Sequence, residues 1–148
     1  MKQKPLQVKT QLEIARPVEQ VFEAIVDPAK MSHYFISSGN GRMQRGKTVH
    51  WKFEKGGGLD VKVEHTEPGR LVSFVWPASG VETLVTMELL PVSDAGTLVK
   101  ISESEWEPDE KGIARCVEQT QGWMHFLCCM KAYLEHGINL RRSGVGGK

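Results

Sequence analysis

The chain is expected to fold as an α+β domain, with a curved antiparallel sheet wrapped around a long C-terminal helix and two short helices after the first strand. Three observations predict this. A stretch from about Ile113 to His136 repeats apolar residues at helical spacing and stops at Gly137. Before it, successive short segments alternate apolar and polar residues between Gly- or Pro-containing turns, as an antiparallel meander with one wet face does. Near the start, one alternating segment runs straight into Pro17-Val18-Glu19-Gln20-Val21-Phe22, where the period changes from strand to helix.

In chain order, Gln7 to Ile14 reads as a strand whose phase is set by Leu12 and Ile14. Pro17 suits a helix start, and Val18, Val21, Phe22, Ile25 and Val26 recur at helical spacing. Asp27-Pro28 ends that helix, and Asp27 caps a second one over about Ala29 to Tyr34. Val49, Trp51 and Phe53 then alternate with polar partners, and Gly56-Gly57-Gly58 forms a turn. Val61, Val63 and His65 share the next phase, and Pro68-Gly69 leads to a strand from Leu71 to Trp76. Thr83, Val85, Met87 and Leu89 alternate up to a turn at about Pro91 to Gly96, and Val99, Ile101 and Glu103 alternate beyond it. Trp106 to Gly112 reads as a polar connection to the final helix. On that helix Trp123, Leu127, Met130 and Leu134 form one stripe, flanked by Val117, Thr120, Met124 and Cys128. One domain over residues 1–140 is expected, with 141–148 a disordered tail.

Composition narrows the function classes. A length of 148 residues suits one domain with a real core, and a net charge of +1 lends no bulk electrostatic pull toward nucleic acid or anionic membranes. The start of the chain lacks the apolar core of a signal peptide, and no apolar run approaches a membrane span. Three cysteines, two of them adjacent, argue against a disulfide framework. A cytoplasmic protein is therefore expected.

The order of these elements resembles the helix-grip fold of the START-like, or SRPBCC, superfamily. Its local motifs resemble the branch related to the activator of heat-shock-protein ATPase. The matching residues are Ile14 to Ile25 with Asp27-Pro28, the strand Gly69-Arg70-Leu71-Val72-Ser73-Phe74-Val75-Trp76, and Gly122-Trp123 with Tyr133-Leu134-Glu135-His136-Gly137. The likeness runs from about Leu6 to Gly137. The chain departs from common members at His33-Tyr34-Phe35 and at Glu103-Ser104-Glu105. The resemblance implies a mostly apolar cavity between the sheet and the last helix, and no universal catalytic residue.

Candidate site residues follow from strand and helix phase. Trp51, Phe53, Phe74, Trp76 and Met87 fall on inward faces, with Val63, Val85 and Ile101 in the same phase. Val117, Gln121, Met124 and Cys128 are the expected helix wall. His65 and Glu103 are expected to point inward near strand ends, where a few polar groups would orient a ligand in an apolar pocket. His125 and Cys129, at i and i+4, are too few for a zinc site. No metal, cofactor or nucleophile motif is found, and the glycine clusters lack the phosphate-loop lysine and hydroxyl.

The leading expectation is binding of a small hydrophobic molecule by a monomer or homodimer. The alternative is a regulator of a heat-shock chaperone ATPase acting through protein contact. A third reading is a cyclase- or hydrolase-like enzyme using His65 or Glu103.

Overall fold

The computed structural model describes residues 4–141. The elements are β1 (Leu6–Ile14), α1 (Val18–Val26), α2 (Pro28–Met31), β2 (Ser38–Gly39), β3 (Thr48–Lys52), β4 (Gly58–Glu67), β5 (Leu71–Trp76), β6 (Thr83–Ser93), β7 (Gly96–Trp106) and α3 (Glu110–His136). The seven strands form one antiparallel sheet in the order β1-β7-β6-β5-β4-β3-β2. Each strand from β2 onward pairs with its sequence neighbour, so short turns suffice. Only β1 crosses over, and α1 and α2 form that connection.

Local signals explain the element ends. Asp27 caps α2, accepting from Ala29 N at 2.9 Å. The helix is shorter than expected, four residues, and helical turns rather than a regular helix carry the chain to Phe35. α3 begins three residues before Ile113, because Asp109 accepts from Gly112 N at 2.8 Å and closes its first turn. It ends where Gly137 takes a left-handed conformation with φ 68°.

Three expectations about strands are corrected. β6 and β7 run on into the turn expected at about Pro91 to Gly96 and narrow it: Pro91 pairs with Thr97 and Ser93 with Gly96, with a register shift between Pro91 and Ser93. Trp106 belongs to no polar connection: it ends β7, buried, with its indole N–H donating to Ser79 Oγ at 3.1 Å. His65 points outward, because a bulge between Val63 and His65 breaks the alternation that placed both on one face. The expected tail lies outside the described residues except for Arg141.

The core is a single cluster between the concave sheet face and the helices. Val63, Val85, Met87, Leu89, Val99 and Ile101 face Trp123, Phe126, Leu127, Cys129 and Met130 of α3, and α1 adds Val21, Phe22 and Ile25. Among the described residues, no helix is long and apolar enough to cross a membrane.

The C-terminal end of α3 is tied to the start of the chain by polar bonds. Glu135 Oε2 accepts from Ala15 N at 2.7 Å and from Lys131 Nζ at 2.6 Å, and Lys131 also donates to Glu13 O. The Lys131 hydrogen bond is the main cause that holds the Glu135 carboxyl below its ordinary value, outweighing partial burial, with the Ala15 amide helping. A depressed carboxyl favours the folded state above its unfolded pKa and ceases to do so as pH falls. Glu135→Gln is expected to cost about 1 kcal/mol at neutral pH. Its difference from the parent should close as pH drops below 4.5 in urea titrations. An undiminished difference in acid would refute the ionic account.

Candidate functional site

The polar centre of the molecule is Glu103, fully buried on β7 opposite Val85 of β6. Its Oε1 accepts from Trp123 Nε1 at 2.7 Å and from Gln119 Nε2 at 2.9 Å, both on α3. Its Oε2 accepts from Trp76 Nε1 at 3.0 Å, at the end of β5, and from the Thr83 hydroxyl that starts β6. A carboxylate has about four acceptor positions, and here four donors fill them. The group therefore locks two indoles, one from the sheet and one from the helix. It has no free acceptor position to offer a substrate proton.

Around this anchor the aromatic side chains form a continuous set of edge-to-face and tilted contacts. Trp76 and Trp123 lie with ring centroids 5.2 Å apart. Phe35, in the turns after α2, meets Trp123 at 6.0 Å, Phe126 at 4.8 Å, Phe53 at 5.4 Å and Trp51 at 5.7 Å. Such pairs contribute roughly 0.5–1.5 kcal/mol each beyond the area they bury. The rings are consequently fixed in position before any ligand arrives.

A cleft of about 230 Å³ opens onto these rings. Leu59 and Trp76 form its sheet side, Gln119, Gly122 and Trp123 its helix side, and Phe35, Phe53 and Ala78 its loop side. His125 and Arg141 stand at its edge and also line an adjoining hollow of about 660 Å³ with Tyr34, Ser37, Glu54 and Lys55. Arg141 is held in place: its Nε donates to Tyr34 O at 2.8 Å, and its guanidinium carbon sits 5.1 Å from the Phe35 ring centroid. Burial, followed by the Arg141 charge, keeps the His125 imidazole below its ordinary pKa.

The expected lining is only partly assembled here. Phe53 and Trp76 line the cleft, Trp51 supports it through Phe35 and Trp76, and Glu103 lies behind it. Val63, Phe74, Val85, Met87 and Ile101 are buried in the core and do not line it. His65 is exposed on the other side of the sheet, for the reason given above. The helix wall is rotated from its expected phase: Val117, Gln121 and Cys128 are exposed, and Met124 is half-buried. Trp123, Phe126, Leu127 and Met130 face inward instead, a stripe at i, i+3, i+4 and i+7. Cys129, not Cys128, is the buried cysteine, with its thiol 3.5 Å from His125 Nε2. Burial pushes the Cys129 thiol up. Among the described residues, no three His, Cys, Asp or Glu side chains stand close enough together to hold a metal.

Sequence reading missed Phe35, Leu59, Gln119, Phe126, His125 and Arg141 as parts of this region. Two signals pointed to some of them. Gln119 and Phe126 lie at i−4 and i+3 from Trp123, and both departures from the common family pattern, at Phe35 and Glu103, fall in the site.

Comparisons with known proteins agree on the architecture. The family model described as "Activator of Hsp90 ATPase homolog 1-like protein" matches residues 15–135. No curated protein matches the chain. Among solved structures, protein SSP2350 from Staphylococcus saprophyticus is similar at 32% identity and TM-score 0.81, over 92% of this chain and 96% of that one. The Aha1 dimer from Colwellia psychrerythraea shares the fold at 24% identity and TM-score 0.76, over 89% and 98%. DynU16, a putative protein in the dynemicin biosynthetic locus, is similar at 26% identity and TM-score 0.78. That match covers 89% of this chain, which spans about half, 48%, of the longer protein.

Proposed function

The chain belongs to the Activator of Hsp90 ATPase homolog 1-like family, and from that premise we propose that it binds a small hydrophobic molecule in the cleft between β5, α3 and the loop carrying Phe53. The carrying observation is a preformed wall of Phe35, Phe53, Trp76 and Trp123 that meets open space, held from behind by the four-donor Glu103. Rings that are already ordered lose little freedom when a ligand covers them, so most of the apolar burial contributes to affinity.

Size narrows the ligand. A cavity of about 150 Å³ lined by apolar side chains accepts a benzene-sized molecule. A cleft of about 230 Å³ suits one or two rings rather than a full lipid chain. The reading is tested by native mass spectrometry of protein from its host, together with titration of N-phenyl-1-naphthylamine. Trp76→Ala should weaken probe binding by roughly tenfold, the loss of one well-buried aromatic contact. No probe uptake by the parent protein, and no co-purified species, would exclude the proposal.

A second reading is that the domain acts on a chaperone ATPase through protein contact. The family description supports it, as do Leu90 and Val92, exposed apolar side chains on the outer side of β6. Stimulation of the host chaperone's ATPase, lost in Leu90→Asp with Val92→Asp, is the expected result under this reading. An unchanged ATPase rate would discard it.

A further inference from the structure

We propose that the cleft selects an anionic ligand, a flat aromatic carboxylate whose ring lies on Phe35, Trp76 and Trp123 and whose carboxylate meets the guanidinium of Arg141. This rests on the apolar-ligand reading above and specifies its chemistry.

The argument is one of charge and geometry at the edge of the cleft. Arg141 lines both the cleft and the adjoining hollow. Its Nε is committed to Tyr34 O, and its central carbon sits over the Phe35 ring, so the guanidinium is oriented rather than free in solvent. Among the described residues, no carboxylate forms an ion pair with it. The other charged groups of these walls are Glu54 and Lys55, adjacent and opposite in sign. His125, the remaining titratable group facing the cleft, adds little charge near neutral pH, because burial and Arg141 itself disfavour its protonation. Glu103 does not line the opening: it lies behind Trp76 and Trp123, with its oxygens turned to four protein donors. An oriented arginine beside apolar rings matches an amphipathic anion: the rings take the flat body, and the outer nitrogens take the carboxylate in a charge-assisted hydrogen bond. A neutral amide of the same shape keeps the ring contacts and can accept one hydrogen bond, but it brings no negative charge and no pair of oxygens for the guanidinium fork.

The test uses 2-naphthoate and its neutral isostere 2-naphthamide, titrated calorimetrically into the full chain. Indole N–H resonances of the tryptophans report the place of binding. The parent protein should bind the carboxylate about tenfold more tightly than the amide, with added salt weakening only the carboxylate. Arg141→Gln should lower carboxylate affinity about tenfold and leave amide affinity within roughly twofold. Arg141→Lys, which keeps the charge but not the planar fork, should restore part of the loss. Equal affinities for the two probes, or a carboxylate affinity indifferent to Arg141→Gln, overturn the anion proposal while leaving the apolar site standing. If Arg141→Gln weakens both probes alike, the residue is a scaffold for Phe35 and the proposal also fails. If neither probe binds the parent, or the shifted resonances lie away from Trp76 and Trp123, the apolar-ligand reading falls with it.

Discussion

Glu103→Ala should destabilise the protein by about 3–5 kcal/mol, the largest effect expected of any single polar substitution here. The cost does not arise from the carboxylate alone. Removing it strands the buried indole N–H groups of Trp76 and Trp123 and the buried Thr83 hydroxyl, and takes the acceptor from the part-buried Gln119 amide. Each buried donor left unpaired costs about 1–3 kcal/mol, lessened where Gln119 can turn outward. Glu103→Gln separates the hydrogen-bond account from a simple loss of volume. Its amide oxygen can accept from the Trp123 and Gln119 donors, and its NH₂ can donate to a reversed Thr83 hydroxyl. Only the Trp76 indole then meets a donor, so the cost should be about 1–3 kcal/mol. Urea unfolding of both variants measures this. Equal losses for Ala and Gln would mean that packing, not donor satisfaction, is what Glu103 provides.

Phe126→Ala should cost about 3–5 kcal/mol through the cavity it leaves. The ring is fully buried on the inner face of α3 and touches Tyr34, Phe35 and Trp123 at centroid distances of 5.3, 4.8 and 5.1 Å. Because Phe35 and Trp123 are cleft walls, the variant should also lose affinity for N-phenyl-1-naphthylamine. Val63→Ala, in the core away from the cleft, provides the comparison: it should destabilise the protein while leaving probe affinity unchanged. A Phe126→Ala protein that binds the probe as tightly as the parent would show that the rings do not hold one another in place.

The contrast between Met124 and Phe126 shows where a sequence reading stops. Periodicity located α3 to within three residues, because an amphipathic stripe and a terminal glycine are local signals. It also placed Trp123, Leu127 and Met130 on the buried stripe. The lining was expected on Val117, Gln121, Met124 and Cys128, whereas Gln119, Gly122, Trp123 and His125 line the cleft, because a stripe's width and centre depend on how the helix leans on the sheet. His65 was misplaced for a related reason. Strand alternation holds only while the register is unbroken, and the bulge beside Val63 is set by pairing with β5, not by residues 61–65 themselves.

Arg141 and Phe35 illustrate the larger gap. They are distant in sequence, and neither sits in a periodic pattern, yet the guanidinium lies over the ring. Nothing local to either residue specifies that contact. Glu103 was legible as an inward-facing acid by its phase with Val99 and Ile101. Its four donors come from β5, β6 and α3, and only their convergence shows that it ties the two indole walls together.

By itself, then, the amino-acid order determined the α+β class, the succession of strands and helices, and the presence of aromatic and methionine side chains on inward faces. These are consequences of side-chain period, turn chemistry and caps, each set within a few residues. The tertiary structure decided that the deep strand residues are core, that the opening lies at the edge where Trp76 meets Trp123, and that an oriented arginine stands beside it. Those features depend on the angle between helix and sheet and on contacts between distant segments, which no local pattern encodes.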